Sequence, residues 1–552
     1  MTRLTMRHYV LLALCTFLIF LPGRASLPPL DRDEPRYMEA SAQMLRSGDF
    51  IDVRFQDRPR YLQPAGIYWL EAASVAATGT LRRHAVWAYR IPSLIAVTAA
   101  VTLTAWIGAT LFGPASGLLA AALLAVAVLV TAEGRMATID TTLLLAVLLA
   151  ETALLRAWLD RDRDRPTPLA TALLYWGALG AGLMLKGPVV LIPGFGTPLA
   201  LALVERRTDW WRRLRPAWGW ALMLAIVLPW CIAIGVVSHG DFFARAVGNN
   251  FLGKVASGQQ AHGLPPGYHL AVFAIAFWPG SLFAAMALPY VWARRRTPSV
   301  RFLLCWIVPH WLVFEAIATK LPHYVLPTYP AIALLTAAAI MAMPHRWSWP
   351  AARWGKIVLA VYGGLWFAIG VALSLAGPVL LWRLQHQVVP AALIVPVGAL
   401  PLVVAAAWFV IGGHVLRAAM TSIAAAAIIH VGLFLTVIPN LQAIWLSPRL
   451  AALVDDYRPC PDTIVASASF SEPSLVFLVG QNTALVGPAG AADLLRDNRA
   501  CGLALVDRRD EPAFRARLRQ DGLDVTEFGR VAGLNYSTGK HLDIGLFGPA
   551  TP

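Results

Sequence analysis

The chain has 552 residues, of which 58% are hydrophobic and 14% are charged, whereas about a quarter of the residues are charged in ordinary soluble domains. A soluble core stops growing near about 250 to 300 residues and needs a polar surface, so one or two such cores cannot bury this much apolar sequence. The composition therefore predicts a polytopic membrane protein and excludes disordered chains, fibrous repeats and secreted disulfide scaffolds.

The net charge of +15 does not indicate a nucleic-acid partner. Nucleic-acid-binding surfaces combine a basic stripe with interleaved aromatic residues, and the sequence has no such stripe. Basic residues in a membrane protein collect in short cytoplasmic loops and contact anionic lipid head groups. We therefore expect membrane lipids, and not nucleic acid, as the partners of this charge.

Thirteen apolar segments are long enough, or nearly so, to cross the hydrocarbon layer, which needs about 20 residues of helix. Two neighbouring pairs of segments abut at Gly113 and Lys186 and allow a different division. The thirteen segments are residues 8–22, 86–112, 115–131, 140–158, 168–185, 187–204, 217–237, 267–290, 302–318, 323–343, 356–378, 388–412 and 417–438.

Arginine-rich loops give the orientation of these spans. Residues 156–165, 206–215, 294–301 and 346–356 contain most of the clustered basic side chains. All four loops fall on one side when thirteen spans are counted from a cytoplasmic N-terminus, as the positive-inside rule requires. The opposite face is therefore predicted to be periplasmic or extracellular.

The composition changes after residue 440. Residues 441–552 have short apolar runs separated by charged, helix-like stretches, a pattern that predicts a small α/β domain. We thus divide the chain into a transmembrane domain, residues 1–440, and an outer-face α/β domain, residues 441–552. In an oxidising compartment Cys460 and Cys501 could form a disulfide, and two buried free thiols are the alternative.

The first outer loop opens with an acidic motif at the start of a predicted interfacial helix. Asp33 precedes Pro35 in the first turn, and Gly48 ends the helix. This arrangement places the carboxylates of Asp33 and Glu34 beside Arg36 just above the bilayer. Simple helix capping with an ion pair between residues three apart is the alternative reading.

The same loop continues with a group suited to a phosphate at head-group level. Arginine forks and phenolic hydroxyl groups bind phosphate oxygens well, and Arg58, Arg60, Tyr61 and Gln63 cluster before a second apolar helix. Ordinary lipid head groups would satisfy these side chains as well.

Two ionisable residues lie at the outer ends of apolar spans, where charge is costly and usually faces a cavity or a partner. Asp140 begins one span, and helix capping is its alternative role. Lys186 is the only charged residue in residues 166–204. It either snorkels to the interface or binds a phosphate at the Gly187 turn.

Two more outer segments hold polar side chains. Residues 238–269 form a loop long enough to be functional, and it includes His262. Lys320, His323, Tyr324 and Tyr329 lie at the top of a later span among prolines that would break the helix and expose backbone for a head group.

Taken together, these motifs resemble the GT-C glycosyltransferase superfamily, in the branch of the lipid A 4-amino-4-deoxy-L-arabinose transferases and their protein O-mannosyltransferase relatives. The resemblance covers nearly the whole chain. It rests on Asp33-Glu34-Pro35-Arg36-Tyr37, on Arg135 with Asp140, on Lys186-Gly187-Pro188, on His262 with Pro265, on Phe277-Trp278-Pro279, and on the segment from Lys320 that includes Tyr324.

The resemblance implies an inverting transfer of aminoarabinose from an undecaprenyl phosphate carrier to a lipid A phosphate. It further implies a monomer in the bacterial inner membrane with a periplasmic site, and resistance to polymyxin and other cationic peptides. Family members commonly read Lys-Pro-Pro where this chain has Gln63, Pro64 and Ala65. The candidates to replace that lysine are Arg58, Arg60 and Lys186.

Asp33, Glu34 and Asp140 are the catalytic candidates under this resemblance. A lipid A phosphate is already anionic near neutral pH, so Asp33 and Asp140 are expected to bind the amino group of the sugar and to stabilise its oxocarbenium character. The candidates for binding the donor phosphate or the substrate are Arg36, Tyr37, Arg58, Tyr61, Gln63, Lys186, His262, Lys320 and Tyr324.

No cofactor is expected. A divalent metal is not indicated, although Asp33, Asp140, Glu34 and His262 could meet and bind one. Two alternative functions stay open: transfer of the sugar to protein Ser/Thr or another envelope glycan, and transport of a lipid-linked sugar. The sequence has no convincing inverted repeat, which many transporters have, and its polar residues lie at one face.

Overall fold

A computed structural model of the chain describes residues 4–81, 84–162, 166–253, 264–343, 347 and 352–549. Among these residues, nine helical segments are long and apolar enough to cross a membrane. A bent pair of helices, Tyr268–Ala276 and Gly280–Arg294, with an angle of 119° between them, would make a tenth span. The nine segments are Ile91–Phe112, Asp140–Asp162, Leu169–Glu205, Pro216–Val237, Pro298–Ala316, Pro322–Ala342, Arg353–Gln385, Pro390–Ile411 and Val415–Asn440.

The helical, polytopic fold predicted from the composition is confirmed, but the count of thirteen spans is higher than the nine or ten that meet these limits. Two predicted spans are the shorter apolar helices Met6–Phe20 and Pro114–Ala125. Two others, the helices Leu169–Lys186 and Leu191–Glu205, are counted as one apolar segment, but the 3-10 turn Gly187–Val190 separates them and the second folds back on the first, since the Tyr175 hydroxyl donates to the Gly194 carbonyl. The sequence shows where the apolar runs lie, and the length of each folded helix determines whether it can cross a membrane as a single helix.

The first outer loop forms short helices at the end of the bundle. These are Glu34–Ser47, Gly66–Thr78 and Val86–Tyr89. The first ends as predicted at Gly48, whose φ of 73° is left-handed and favours glycine. Two short strands, β1 (Arg54–Phe55) and β2 (Arg58–Pro59), pair antiparallel between the first two helices.

The chain ends in a five-stranded mixed sheet with helices, which we call the C-terminal sheet. Its strand order is β4-β3-β5-β7-β6, with β3, β4 and β5 parallel and β6 and β7 an antiparallel pair at one side. The strands are β3 (Ile464–Ala468), β4 (Thr483–Val486), β5 (Gly502–Asp507), β6 (Val525–Asn535) and β7 (Lys540–Pro549), and the helices are Leu446–Asp456, Pro473–Val479, Pro488–Asp497 and Glu511–Gln520.

This region has the predicted small α/β architecture, with a separate apolar core on each face of the sheet. The predicted disulfide between Cys460 and Cys501 is confirmed. The boundary at residue 440 stays a prediction, and all five strands lie beyond it. The helix Pro473–Val479 packs against the first-loop helix Glu34–Ser47, so the sheet lies at the end of the bundle where the outer loop lies. We call this end the sheet face.

Candidate active site

An ion pair between Lys186 and Asp140 lies at the sheet face of the bundle. The Lys186 Nζ atom is 2.5 Å from Asp140 Oδ1, and both side chains are largely buried. Lys186 is the last residue of the helix Leu169–Lys186, and Gly187 follows with a φ of 63°, so the chain turns sharply there. Asp140 is the first residue of its own helix, and its carboxylate pairs with Lys186 instead of acting only as a cap.

A second carboxylate and a histidine complete this cluster. His323 Nε2 is 3.9 Å from Asp140 Oδ1, and His323 Nδ1 is 3.6 Å from Glu133 Oε1. Glu133 accepts a hydrogen bond of 3.0 Å from the Thr138 hydroxyl. Burial, and then the nearby charge of Asp140, raises the pKa of the Glu133 carboxyl. Two acids, an imidazole and an ammonium therefore share one small, largely buried space.

The cluster faces a cavity of about 280 Å³. Among the described residues, the polar side chains that line the cavity are those of Gln63, Lys186, His323 and Tyr324, with the thiol of Cys231. Lys186 Nζ lies 5.8 Å from the centre of the Tyr324 ring. The other walls are mostly apolar and come from several spans and from the segment after residue 240, among them Leu143, Leu183, Val227, Phe242 and Phe314. A cavity that has an ammonium group at one end and apolar side chains along its walls suits an anion with a long apolar part.

Asp33 lies at the start of the first-loop helix with its carboxylate free of capping bonds. Its side chain is 72% exposed, and Arg36 NH1 is 3.7 Å away. Burial raises the pKa of the Tyr37 hydroxyl well above its ordinary value, with smaller contributions from Tyr68 and then from Asp33 and Asp140. Tyr37 lies one turn after Asp33 on the same helix.

An aromatic group joins the first-loop helix to the cavity wall. The Gln63 amide donates to the Tyr37 hydroxyl. The Arg60 guanidinium lies 5.0 Å from the centre of the Tyr37 ring, and its Nε donates to the Tyr68 hydroxyl at 3.0 Å. Gln63 thus stands between the Tyr37 group and the cavity, at the position where family members commonly have the lysine.

Five of the predicted residues therefore meet in or beside one chamber, which we call the Lys186 chamber: Tyr37, Gln63, Asp140, Lys186 and Tyr324. Asp33 and Arg36 lie at the start of the same helix as Tyr37.

Glu34 requires a correction, because its carboxylate faces protein and not the chamber. Glu34 is 1% exposed and pairs with Arg90 at 2.7 Å and 2.8 Å. It also accepts the backbone N–H groups of Leu30 and Ala137. A carboxylate with this many partners is a structural anchor, and it has no free oxygen for a metal or a substrate.

Lys320 is corrected in the same way. Its side chain is buried, and Nζ donates to the backbone carbonyls of Phe314, Glu315 and Ile317 at 3.4, 2.8 and 2.6 Å. These carbonyls lie at the C-terminal end of the helix Pro298–Ala316, where a cation stabilises the helix. The ammonium therefore has no donor left for a phosphate.

Two other predicted binding residues, Arg58 and Tyr61, do not line the cavity. Arg58 is exposed on β2. The Tyr61 hydroxyl donates to Asp52 at 2.9 Å, although its ring contacts Phe242 of the cavity wall at 5.7 Å between centres. His262 lies outside the described residues.

Two groups of the chamber, Glu133 and His323, were not among the predicted site residues. The signal for Glu133 was an acid seven residues before Asp140 in a connection between apolar segments. The sequence places His323 at the top of the same span as Tyr324, but no binding role was predicted for it. Arg135, which the sequence analysis grouped with Asp140, is fully buried between the rings of Phe20 and Phe434 and has a structural role.

Three comparisons with known proteins bear on this chamber. The sequence pattern of the dolichyl-phosphate-mannose-protein mannosyltransferase family matches residues 63–232. The undecaprenyl phosphate-alpha-4-amino-4-deoxy-L-arabinose arabinosyl transferase of Pectobacterium carotovorum is 29% identical over 67% of this chain and 64% of its own length. The protein of that name from Pseudomonas aeruginosa is 28% identical over 59% of each chain. The chain thus aligns with less than two thirds of the length of these relatives.

The fold is similar to that of solved membrane proteins. ArnT from Cupriavidus metallidurans, bound to undecaprenyl phosphate, superposes with a TM-score of 0.74 over 97% of both chains at 18% identity. The Archaeoglobus fulgidus oligosaccharyltransferase superposes with a TM-score of 0.52 over 91% of this chain and 70% of its own, at 11% identity. At these identities the likeness concerns the fold.

Proposed function

We propose that this chain is a GT-C glycosyltransferase that moves 4-amino-4-deoxy-L-arabinose from undecaprenyl phosphate to a phosphate of lipid A. The observation that carries the proposal is the ammonium of Lys186 at the head of an apolar cavity, next to Tyr324 and to two carboxylates. The names of the curated relatives supply the sugar and the carrier.

The donor is proposed to bind with its phosphate at Lys186 and its prenyl chain along the apolar walls. A prenyl chain gains about 25 cal/mol for each Å² of apolar surface that leaves water, so the walls contribute affinity without sequence-specific contacts. Phe242, Phe243, Val227 and Phe314 are among the side chains that such a chain would contact. A phosphate at Lys186 would replace part of its ion pair with Asp140.

The reaction breaks the bond between the sugar and the carrier phosphate, so negative charge grows on the leaving phosphate. Groups that stabilise such charge in a largely dry site lower the barrier most. Lys186 supplies a cation there, and the Tyr324 hydroxyl supplies a hydrogen-bond donor. Asp140 holds the Lys186 ammonium at the cavity head in the free protein.

Asp33 is proposed to act on the sugar side. A lipid A phosphate is already an anionic nucleophile near neutral pH and needs no general base. The exposed carboxylate of Asp33 can instead bind the cationic amino group of the aminoarabinose and stabilise positive charge that develops at the anomeric carbon. A single displacement with inversion fits one nucleophile and one leaving phosphate.

The bacterial inner membrane, with the sheet face in the periplasm, is the proposed location. The arginine-rich segment at 156–162 lies at the far end of the helix that begins at Asp140, and the segment at 206–215 follows the far end of the helix Leu191–Glu205, which begins just after the Lys186 turn. Both positions fit a cytoplasmic location. A monomer is proposed, because one chain supplies the whole cluster around Lys186. The expected consequence in the cell is resistance to polymyxin and related cationic peptides.

The test is transfer by the purified protein in detergent, with undecaprenyl phosphate-linked aminoarabinose as donor and lipid A as acceptor. We expect mass spectrometry to detect an aminoarabinose adduct on a lipid A phosphate, and Asp33→Asn to abolish it. Transfer without a sealed membrane excludes a transporter as the explanation. An active preparation that modifies a Ser/Thr peptide and leaves lipid A unmodified would replace the proposed acceptor, and no transfer to either would refute the proposal.

A further inference from the structure

The segment before Asp33 is held on its inner side by the bundle. Arg90 donates to the backbone carbonyls of Arg24, Leu27 and Pro28 as well as to the Glu34 carboxylate. This buried network fixes both ends of the stretch from residue 24 to residue 34. The network also holds Leu30, whose N–H donates to the Glu34 carboxylate at 2.8 Å, so residues 31–33 are left to be held by other contacts.

The C-terminal sheet contacts this part of the stretch from the outer side. The Asp31 carboxylate accepts hydrogen bonds from the Ser474 backbone N–H at 2.9 Å and from the Ser474 hydroxyl at 2.5 Å. The Asp31 backbone N–H donates to the Tyr536 hydroxyl at 2.8 Å. A terminal nitrogen of Arg32 donates to the Ser537 carbonyl at 3.1 Å. Two separate parts of the sheet region, more than 60 residues apart, therefore meet the same short segment.

The partners on the sheet side are themselves fixed by buried contacts. Ser474 is 1% exposed, and its hydroxyl also bonds the Ser447 hydroxyl at 2.6 Å. Phe477, one turn later in the same helix, is fully buried, and its ring lies 5.3 Å from that of Tyr89. The sheet therefore contacts the outer loop through a packed interface and not through surface side chains alone.

The carboxylate of Asp33 has little of its own to hold it in place. It makes no capping hydrogen bond, and its nearest cation, Arg36, is 3.7 Å away on an exposed surface, where an ion pair contributes little. Its position relative to the chamber therefore depends on the backbone on either side. A displacement of about 1 Å at a reacting group can lower a rate about a hundredfold.

We propose that the C-terminal sheet is a positioning element for the catalytic loop, in which Ser474 and Tyr536 act as positioning residues that hold the backbone of Asp31 and, through it, Asp33. The consequence for the reaction rests on the proposed function. The contact by which the sheet holds residues 31–33 does not depend on the proposed function, so the contact and its effect on the reaction can be tested separately.

The experiment uses the full chain in detergent and compares Ser474→Ala and Tyr536→Phe with wild type. Tyr536→Phe removes the acceptor of the Asp31 N–H but keeps the ring that packs on Trp445. Thr463→Val is the matched control, since Thr463 is 4% exposed in the same sheet region and bonds only the nearby Cys460. Hydrogen exchange is followed by mass spectrometry in peptides that span residues 27–34, and kcat and KM are measured for transfer to lipid A.

We expect both variants, and not the control, to exchange faster in residues 31–33. We expect kcat to fall about tenfold to a hundredfold while KM changes less than about twofold, since the loss is in placement and not in binding. Unchanged exchange in both variants would overturn the holding role. Faster exchange with unchanged kcat would overturn the positioning role. If wild type transfers nothing, the proposed function fails, and the exchange arm alone still decides whether the sheet holds the segment.

Discussion

Glu34 and Arg90 face each other in a two-pronged ion pair that neither solvent nor the Lys186 chamber reaches. Arg90 Nε is 2.7 Å from Glu34 Oε1, a terminal nitrogen is 2.8 Å from Oε2, and neither side chain is more than 1% exposed. Asp33, the preceding residue, has a side chain that is 72% exposed. Two adjacent acids of one motif therefore have different environments, and we expect different roles.

Substitution should separate these roles. Glu34→Gln leaves the Arg90 charge buried without its partner, and breaking a buried pair in this way costs about 3 to 5 kcal/mol. Asp33→Asn should leave the stability unchanged and lower transfer about a hundredfold or more, the scale of loss when charge stabilisation is removed from a transition state. Thermal unfolding and lipid A mass spectrometry measure the two effects. A Glu34→Gln protein that unfolds at the wild-type temperature would contradict the structural role.

Much of the fold could be predicted because hydrocarbon imposes a simple pattern on sequence. Every predicted apolar segment corresponds to a helix, and the short ones, such as Met6–Phe20, differ from spans only in length. The α/β pattern after residue 440 was equally clear, since short apolar runs alternated with charged helices. The strand order of the C-terminal sheet and its contact with the first loop could not be predicted, because they depend on residues hundreds of positions apart.

The site was predictable where a polar residue interrupts an apolar context. Lys186 and Asp140 were found in this way, and they pair across 46 positions of sequence. Glu34 was misassigned because its partner, Arg90, is 56 positions away and the motif alone gives no sign of it. The error at Lys320 was avoidable, since a lysine four residues beyond a helix end at Ala316 is a common capping pattern.

The two lysines provide a second prediction. Lys186→Gln should lower kcat about a hundredfold, because it removes the cation at the leaving phosphate, and it should also lower the stability, because the largely buried Asp140 carboxylate loses its partner. Lys320→Gln should leave kcat near the wild-type value and lose about 2 to 3 kcal/mol of stability, because three backbone carbonyls lose a charged donor. Transfer assays and thermal unfolding on both variants check the expectation. If both variants fold stably and lose activity equally, Lys320 also acts at the phosphate site, and its assignment as a helix cap is wrong.

A third prediction concerns pH and the contact between Asp31 and the C-terminal sheet. Burial raises the pKa of Asp31 to about 6, Glu472 adds to the rise, and Ser474 and Arg36 oppose it. The folded carboxyl thus holds its proton more tightly than the unfolded one, so its contribution to stability is complete below about pH 4 and is lost as the pH rises through about 6. Tyr536 also faces Asp31, and its pKa is raised by burial, so it stays neutral in this range.

Asp31→Asn stays neutral at every pH and isolates this effect. Relative to the variant, wild type should lose about 3 kcal/mol of stability between pH 4 and pH 7, the equivalent of a two-unit pKa difference. Thermal unfolding of both proteins across that range measures the difference. Curves that stay parallel would mean that Asp31 titrates as in the unfolded chain and that its burial has no energetic consequence.

The last prediction is that transfer needs no divalent metal. Glu133, Asp140 and His323 do bring ligand atoms within 4.8 Å of one another, a spacing that a metal ion could use. The ammonium of Lys186, however, lies 2.5 Å from the Asp140 carboxylate, and a metal there would place two cations side by side.

We expect treatment with EDTA to leave transfer unchanged within assay error and the purified wild type to contain no stoichiometric metal. Lys186→Gln removes the competing cation, so this variant should bind Zn²⁺ more tightly than wild type, which elemental analysis after dialysis can measure. Activity that is lost with EDTA and restored by a divalent ion would show instead that the three ligands hold a metal and that Lys186 serves only the phosphate.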